Sequence, residues 1–165
     1  MKKCIYCGQS ALSGILCRKC RHKVPSGYSF KNRPENIYAE IYRNEKIKEM
    51  FQKTTELGKL QLDTCNNLFH IDNVYYKITD VSEYSFYWGE PHYGYGFGSP
   101  RVYADIYFSF RIMNEERRVR KLTTAPCRYV NTGRTIHVEP PLAMLSVRET
   151  FAQMIENSEK RDWRE

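Results

Sequence analysis

Residues 102–112 read VYADIYFSFRI, and this stretch decides the fold. Val102, Ala104, Ile106, Phe108, Phe110 and Ile112 alternate with Tyr103, Asp105, Tyr107, Ser109 and Arg111. A period of two over eleven residues is a strand with one face on a core and the other toward solvent or a ligand. Such a strand needs antiparallel neighbours, because a single half-buried strand leaves its backbone donors and acceptors unpaired.

Upstream, short alternating runs appear at Leu60–Leu62, Leu68–Ile71, Val74–Ile78 and Val81–Trp88. They are separated by Asp63-Thr64-Cys65-Asn66-Asn67, Asp72-Asn73 and Thr79-Asp80, which are turn-forming residues. Downstream, Asn114-Glu115-Glu116 turns the chain into Arg117–Thr124, and a last strand is expected at Thr135–Val138. Pro140-Pro141 ends the sheet. Ser146 with Glu149 three residues on is a candidate capping box for a helix carrying Val147, Phe151, Met154 and Ile155 on one side. The expectation for residues 57–165 is a β domain of about seven antiparallel strands followed by one amphipathic helix.

Before it, Ile37, Tyr38, Ile41, Tyr42, Ile47, Met50 and Phe51 recur at three and four residues, so the chain from Glu35 to Lys53 reads as one helix, or two broken near Asn44. Pro25–Pro34, PSGYSFKNRP, is a turn-rich connector, or a strap laid down by Tyr28 and Phe30. Residues 25–56 are therefore assigned as linker and helix.

The first 24 residues are a different kind of sequence. Cys4 and Cys7 form one C-x-x-C pair, and Cys17 and Cys20 a second. Two such pairs nine residues apart are the spacing of a closed four-thiolate site, which structural zinc prefers. One Zn2+ per chain is expected, with an iron–sulfur cluster as the main competitor. Gly8, directly after Cys7, suits a left-handed turn, and Ser13-Gly14 marks the hairpin between the pairs. Ile5, Leu12, Ile15 and Leu16 are too few for a core, so the metal is expected to hold the module together. Cys65 and Cys127 remain as lone thiols.

In this order, CIYCG, CRKC, KLQLDTCNNLFHI, VYYKITDVSEYSF, VYADIYFSFRI and the helix from Ser146 resemble small bacterial proteins in which a four-Cys zinc ribbon precedes a pleckstrin-homology-like β domain. The resemblance implies an α+β chain built from that ribbon and that domain, and a binding role, since pleckstrin-homology-like barrels bind phosphoinositides, peptides or other proteins. The segment WGEPHYGYGFGSP departs from the compact pattern.

The net charge of +7 is unevenly placed. Residues 1–34 carry eight of the 26 Lys and Arg and no Asp or Glu, so the rest of the chain is close to neutral. With four thiolates and one divalent metal the module still holds about +6. Lys2, Lys3, Arg18, Lys19, Arg21 and Lys23 are thus candidate contacts to DNA, RNA or another anionic partner. A second basic group, Arg117, Arg118, Arg120 and Lys121, is divided between two faces by strand alternation.

For a protein partner, the candidates are Trp88, Tyr93, Tyr95 and Phe97 in the Gly/aromatic segment, and Tyr103 and Tyr107 on the outer face of the long strand. GYGFG lacks the spacing and lysine of a phosphate loop. His22, His70, His92 and His137 lie in separate segments without a motif partner, so no catalytic residue is named. No apolar run is long enough to span a membrane, and no apolar stretch follows MKKC. The expectation is a cytoplasmic, non-enzymatic, zinc-containing binding protein, an adaptor or inhibitor acting on another protein. Nucleic-acid binding is the alternative, and an enzyme with an unrecognised site the third reading.

Overall fold

A computed structural model describes residues 2–12, 15–24, 34–94 and 101–162. The chain is α+β, with several antiparallel sheets, a C-terminal helix and a cluster of four cysteines near its start.

The cysteine module holds a small hairpin of β1 (Lys2–Lys3) and β2 (Ser10–Ala11) and one helical turn, α1 (Arg18–Arg21). The next helix, α2 (Pro34–Met50), is continuous. Its buried stripe is Ile37, Ile41, Asn44 and Ile47, spaced by three and four residues. Asn44 is therefore part of the stripe and not a break. Tyr38, Tyr42 and Met50, assigned to the apolar face from periodicity, are about half exposed. The true stripe is narrower because α2 packs by isoleucines on one side only.

Four short strands form a meander: β3 (Thr55–Leu57), β4 (Leu60–Asp63), β5 (Leu68–Ile71) and β6 (Val74–Lys77). Asn67, Asp72 and Asn73 adopt positive φ at the turns, which Asn and Asp tolerate better than other side chains. A 3₁₀ turn, Ile78–Asp80, leads to β7 (Val81–Trp88) and β8 (His92–Gly94). The long strand, β9 (Arg101–Ile112), pairs with β7 and β8 on one side and with β10 (Arg118–Cys127) on the other. A hairpin of β11 (Tyr129–Asn131) and β12 (Ile136–Val138) precedes α3 (Leu142–Asp162). Sequence alternation did not register β3, β8 or β11. Each is three residues long, which leaves little period to read, although β12, equally short, is the strand expected at Thr135–Val138.

The two larger sheets enclose an aromatic core closed by α3. Phe151 from α3 lies 5.5 Å from Phe69, 5.7 Å from Phe86 and 5.3 Å from Phe108, between ring centroids, in edge-on geometry. Burial of each such ring contributes about 1.5–3 kcal/mol. The helix starts at Leu142, directly after the proline pair, so Ser146 lies inside it and is not its cap. The amides of Met144 and Leu145 instead donate to the Pro141 carbonyl.

The sheets also join at an edge. The pairing of β10 with β9 slips between Lys121 and Thr123, leaving the Leu122 carbonyl out of the ladder. Lys59 in the β3–β4 turn donates its amide to that carbonyl. No described helix is long and apolar enough to cross a membrane.

Candidate metal centre

Each half of the cysteine cluster is built by a tight backbone turn. After Cys4, Gly8 at φ +73° donates its amide to the Cys4 carbonyl at 2.9 Å, and Cys4 donates to Gln9 at 2.8 Å. Nothing lies near the position a Gly8 side chain would occupy, so the left-handed backbone, and not space, calls for glycine. In the second half, Arg21 donates to the Cys17 carbonyl at 2.9 Å and Lys23 to that of Cys20 at 3.1 Å. The two halves are tied by Ile5 donating to Ile15 at 3.1 Å.

These turns bring the Sγ atoms of Cys4, Cys7, Cys17 and Cys20 within 4.8 Å of one another, with Cys7 and Cys17 at 3.6 Å. Four sulfurs around a tetrahedral ion at about 2.3 Å stand about 3.8 Å apart, so the cluster could hold a metal ion. Cys4, Cys17 and Cys20 are buried and Cys7 is exposed. Burial pushes the Cys4 thiol up, but amide hydrogen bonds from Cys17, Cys7 and Tyr6 outweigh it and bring its pKa down to about 6. The Cys17 thiol is lowered chiefly by the Cys20 amide. Cys20 is raised, by burial first and then by the neighbouring sulfurs. A cluster in which the first thiolates form easily and the last is opposed is completed when a cation supplies the missing positive charge.

The module does not stand alone. Cys4, Leu16, Cys17, Cys20 and Val24 form one apolar cluster with Ile37 and Ile41 of α2, and Tyr6 packs at its edge. The few apolar residues of the module are thus completed by a helix more than a dozen positions downstream. Tyr6 and Lys23 both hydrogen-bond the Glu45 carboxylate, and the Tyr6 ring meets Tyr38 at 5.1 Å. The Lys23 and Tyr6 hydrogen bonds hold the Glu45 pKa below the usual carboxylate range. The sequence signal for this contact was Ile37 and Ile41, four apart on the helix; nothing in the spacing pointed to Glu45.

Of the six basic candidates, Lys2, Lys3, Arg18, Lys19 and Arg21 are exposed, whereas Lys23 is half-buried against Glu45. Within the second basic group, Arg118 bonds Glu115 and the Tyr76 hydroxyl, and Arg120 bonds Asp72. These two arginines tie β10 to neighbouring elements.

The aromatic candidates separate onto two faces. Trp88 pairs with Ile106 and Tyr93 with Val102, on the core side of the sheet. Trp88 packs against the core, and Tyr93 is 62% exposed. Tyr103 and Tyr107 stand on the opposite face. Tyr107 stacks on Tyr87 at 5.3 Å and 10°, and the Tyr103 ring covers Gly94, where a Cβ would come within 2.6 Å of it. Tyr87 joins the outer face through its register with Tyr107, which alternation with Phe86 and Trp88 could have revealed. Tyr95 and Phe97 lie outside the described residues, as do Tyr28, Phe30 and the Ser13-Gly14 turn.

No family model matches this chain, and no curated protein or solved structure is significantly similar to it.

Proposed function

We propose that the chain is a non-enzymatic, zinc-containing binding protein of a reducing, cytoplasmic environment, with another protein as its partner. Zinc is the reading best supported for the four-cysteine cluster because all four donors are sulfur and lie within 4.8 Å of one another, a set that would fill every position of a tetrahedral ion and leave none for a reacting water. The pleckstrin-homology-like reading of the β domain draws support from a four-stranded meander, a second sheet built on β7, β9 and β10, and a helix closing the core between them.

The observation that carries the binding role is the outer face of the second sheet. Its inner side fills the core, yet its outer side presents the parallel Tyr87–Tyr107 pair with Tyr103 along the same strand. Tyrosine gives large contact area at little conformational cost and is enriched where proteins meet. An adaptor or inhibitor would use this face. Photocrosslinking from position 107 in extract of the native host tests it, with position 160 on α3 as control. One discrete product from 107 that excess unlabelled protein removes supports the reading; identical products from both positions, or none, exclude it.

A second reading, nucleic-acid binding, rests on the five exposed basic side chains of the module and the lack of acidic residues in positions 1–34. Affinity for DNA or RNA would then fall steeply with salt and vanish in the combined Arg18→Glu, Lys19→Glu and Arg21→Glu variant. Salt-independent or unchanged binding excludes it.

A further inference from the structure

Away from the cysteine cluster and the tyrosine face, a cavity of about 170 Å³ opens where the module, α2 and the β5–β6 hairpin meet. At about 30 Å³ per water it has room for about five to six waters, enough for one tetrahedral oxyanion with part of its hydration and too little for a whole nucleotide.

Its lining is rich in donors. Lys48 of α2 borders it and forms no ion pair with any described residue. Asn44 lines it too, with its Oδ1 occupied by the Tyr75 amide at 2.7 Å, so the amino group is what the carboxamide has left to offer. Asn73 stands at the hairpin tip with φ +64°, and His22 enters from the turn after Cys20. The single carboxylate in the wall among the described residues, Glu45, already has one oxygen taken by Tyr6 and the other by Lys23. The floor is a pair of flat rings, His70 and Tyr75, 4.3 Å apart and tilted by 32°. His70 places Nδ1 3.1 Å from the Gln61 side-chain oxygen, which fixes that nitrogen as donor and turns Nε2 away from Gln61. Burial lowers the His70 pKa, with Asp72 opposing and Lys48 adding to the shift.

Donors that converge from three chain segments suit an anion with oxygens in several directions. A planar carboxylate is matched best by a guanidinium fork, and among the described residues no arginine lines this cavity. We propose that the cavity binds a phosphate group, free or as the head of a small phosphate monoester, with Lys48 as the principal cation and Asn44 and Asn73 as neutral donors. Two sequence-distant histidines and a lysine that forms no close ion pair among the described residues, though its charge acts on Glu45 and His70, are then parts of one site.

Lys48 also complements the C-terminal end of the α2 dipole, so stability is measured beside binding. The metal-loaded full-length protein is titrated calorimetrically with inorganic phosphate and, separately, with glycerol phosphate, against chloride at equal ionic strength. Saturable binding is expected, weakened about tenfold or more by Lys48→Gln and by Asn73→Gly, with ligand-free melting temperatures lowered by no more than a few degrees. Glycine keeps the left-handed backbone at position 73. Tighter binding of glycerol phosphate assigns the site to a monoester, and equal or weaker binding assigns it to free phosphate. The proposal is overturned if neither compound saturates at millimolar concentration, or if both variants bind as the parent does.

Discussion

Gly58 and Leu122 are in direct contact across the two sheets of the β domain: a Cβ on Gly58 would lie 2.1 Å from the Leu122 carbonyl oxygen. The β3–β4 turn therefore enters the notch left by the bulge in β10, and the Lys59 amide closes it. Only a residue without a side chain fits, and Gly58 also has φ +56°.

Gly58→Ala should thus cost about 2–4 kcal/mol, the backbone penalty plus the collision. Gly8→Ala, at φ +73° with open space around it, should cost only about 1 kcal/mol in the metal-loaded protein. Urea denaturation of the two variants compares them directly. Equal losses would remove the argument from contact.

Asn44 covers the outer edge of β6 by accepting the Tyr75 amide. Replacing it by Leu removes the protein partner of a half-buried donor and should cost about 1 kcal/mol. Hydrogen exchange at the Tyr75 amide should quicken in the same variant. Unaltered exchange there would mean the bond does not close the edge.

Asp63 is fully buried and accepts the amides of Gln52, Cys65 and Asn66 and the Asn66 side chain. Burial opposes its ionisation, but these donors prevail and its pKa is lowered. A carboxylate depressed in the folded state stabilises fully above its unfolded value, about 3.9, and that stabilisation is lost as pH falls through the folded value. Stability should drop on acidification below about pH 4, and less steeply in Asp63→Asn. Parallel pH–stability curves for the two proteins would contradict this.

Removal of the metal should unfold the module and loosen the start of α2, because Ile37 and Ile41 bury against the cysteines. After chelation, hydrogen-exchange protection should fall in residues 2–24 and 36–42 and persist in β9. The loaded protein should contain one zinc per chain by elemental analysis. Protection lost equally in β9 would make the module part of the main core, and iron in place of zinc would replace the zinc reading.

Local chemistry was legible from the chain alone. The C-x-x-C pairs announced the sulfur cluster, Gly8 its turn and the eleven alternating residues the central strand, because each signal is carried by neighbours within a few positions. The turns at Asn67, Asp72, Asn73 and Asn114 belong to the same class, since a left-handed backbone selects its residue locally. The helix at the end was legible as well, though its start moved to Leu142 because Pro141 supplies the first carbonyl.

What only the tertiary structure decided is which of these pieces share a surface. Tyr38 and Tyr42 obey the helical period yet stay about half exposed, and Trp88 and Tyr107 stand on opposite sides of one sheet. His22 and His70, distant in sequence, border one cavity. Periodicity reports that a segment has a buried side, but the identity of what covers it depends on contacts between residues far apart in the chain. The cysteine module is the clearest case: its sequence specifies the ligands, while Ile37 and Ile41, which lie beyond the connector, complete its packing and Glu45 pairs with Tyr6 and Lys23.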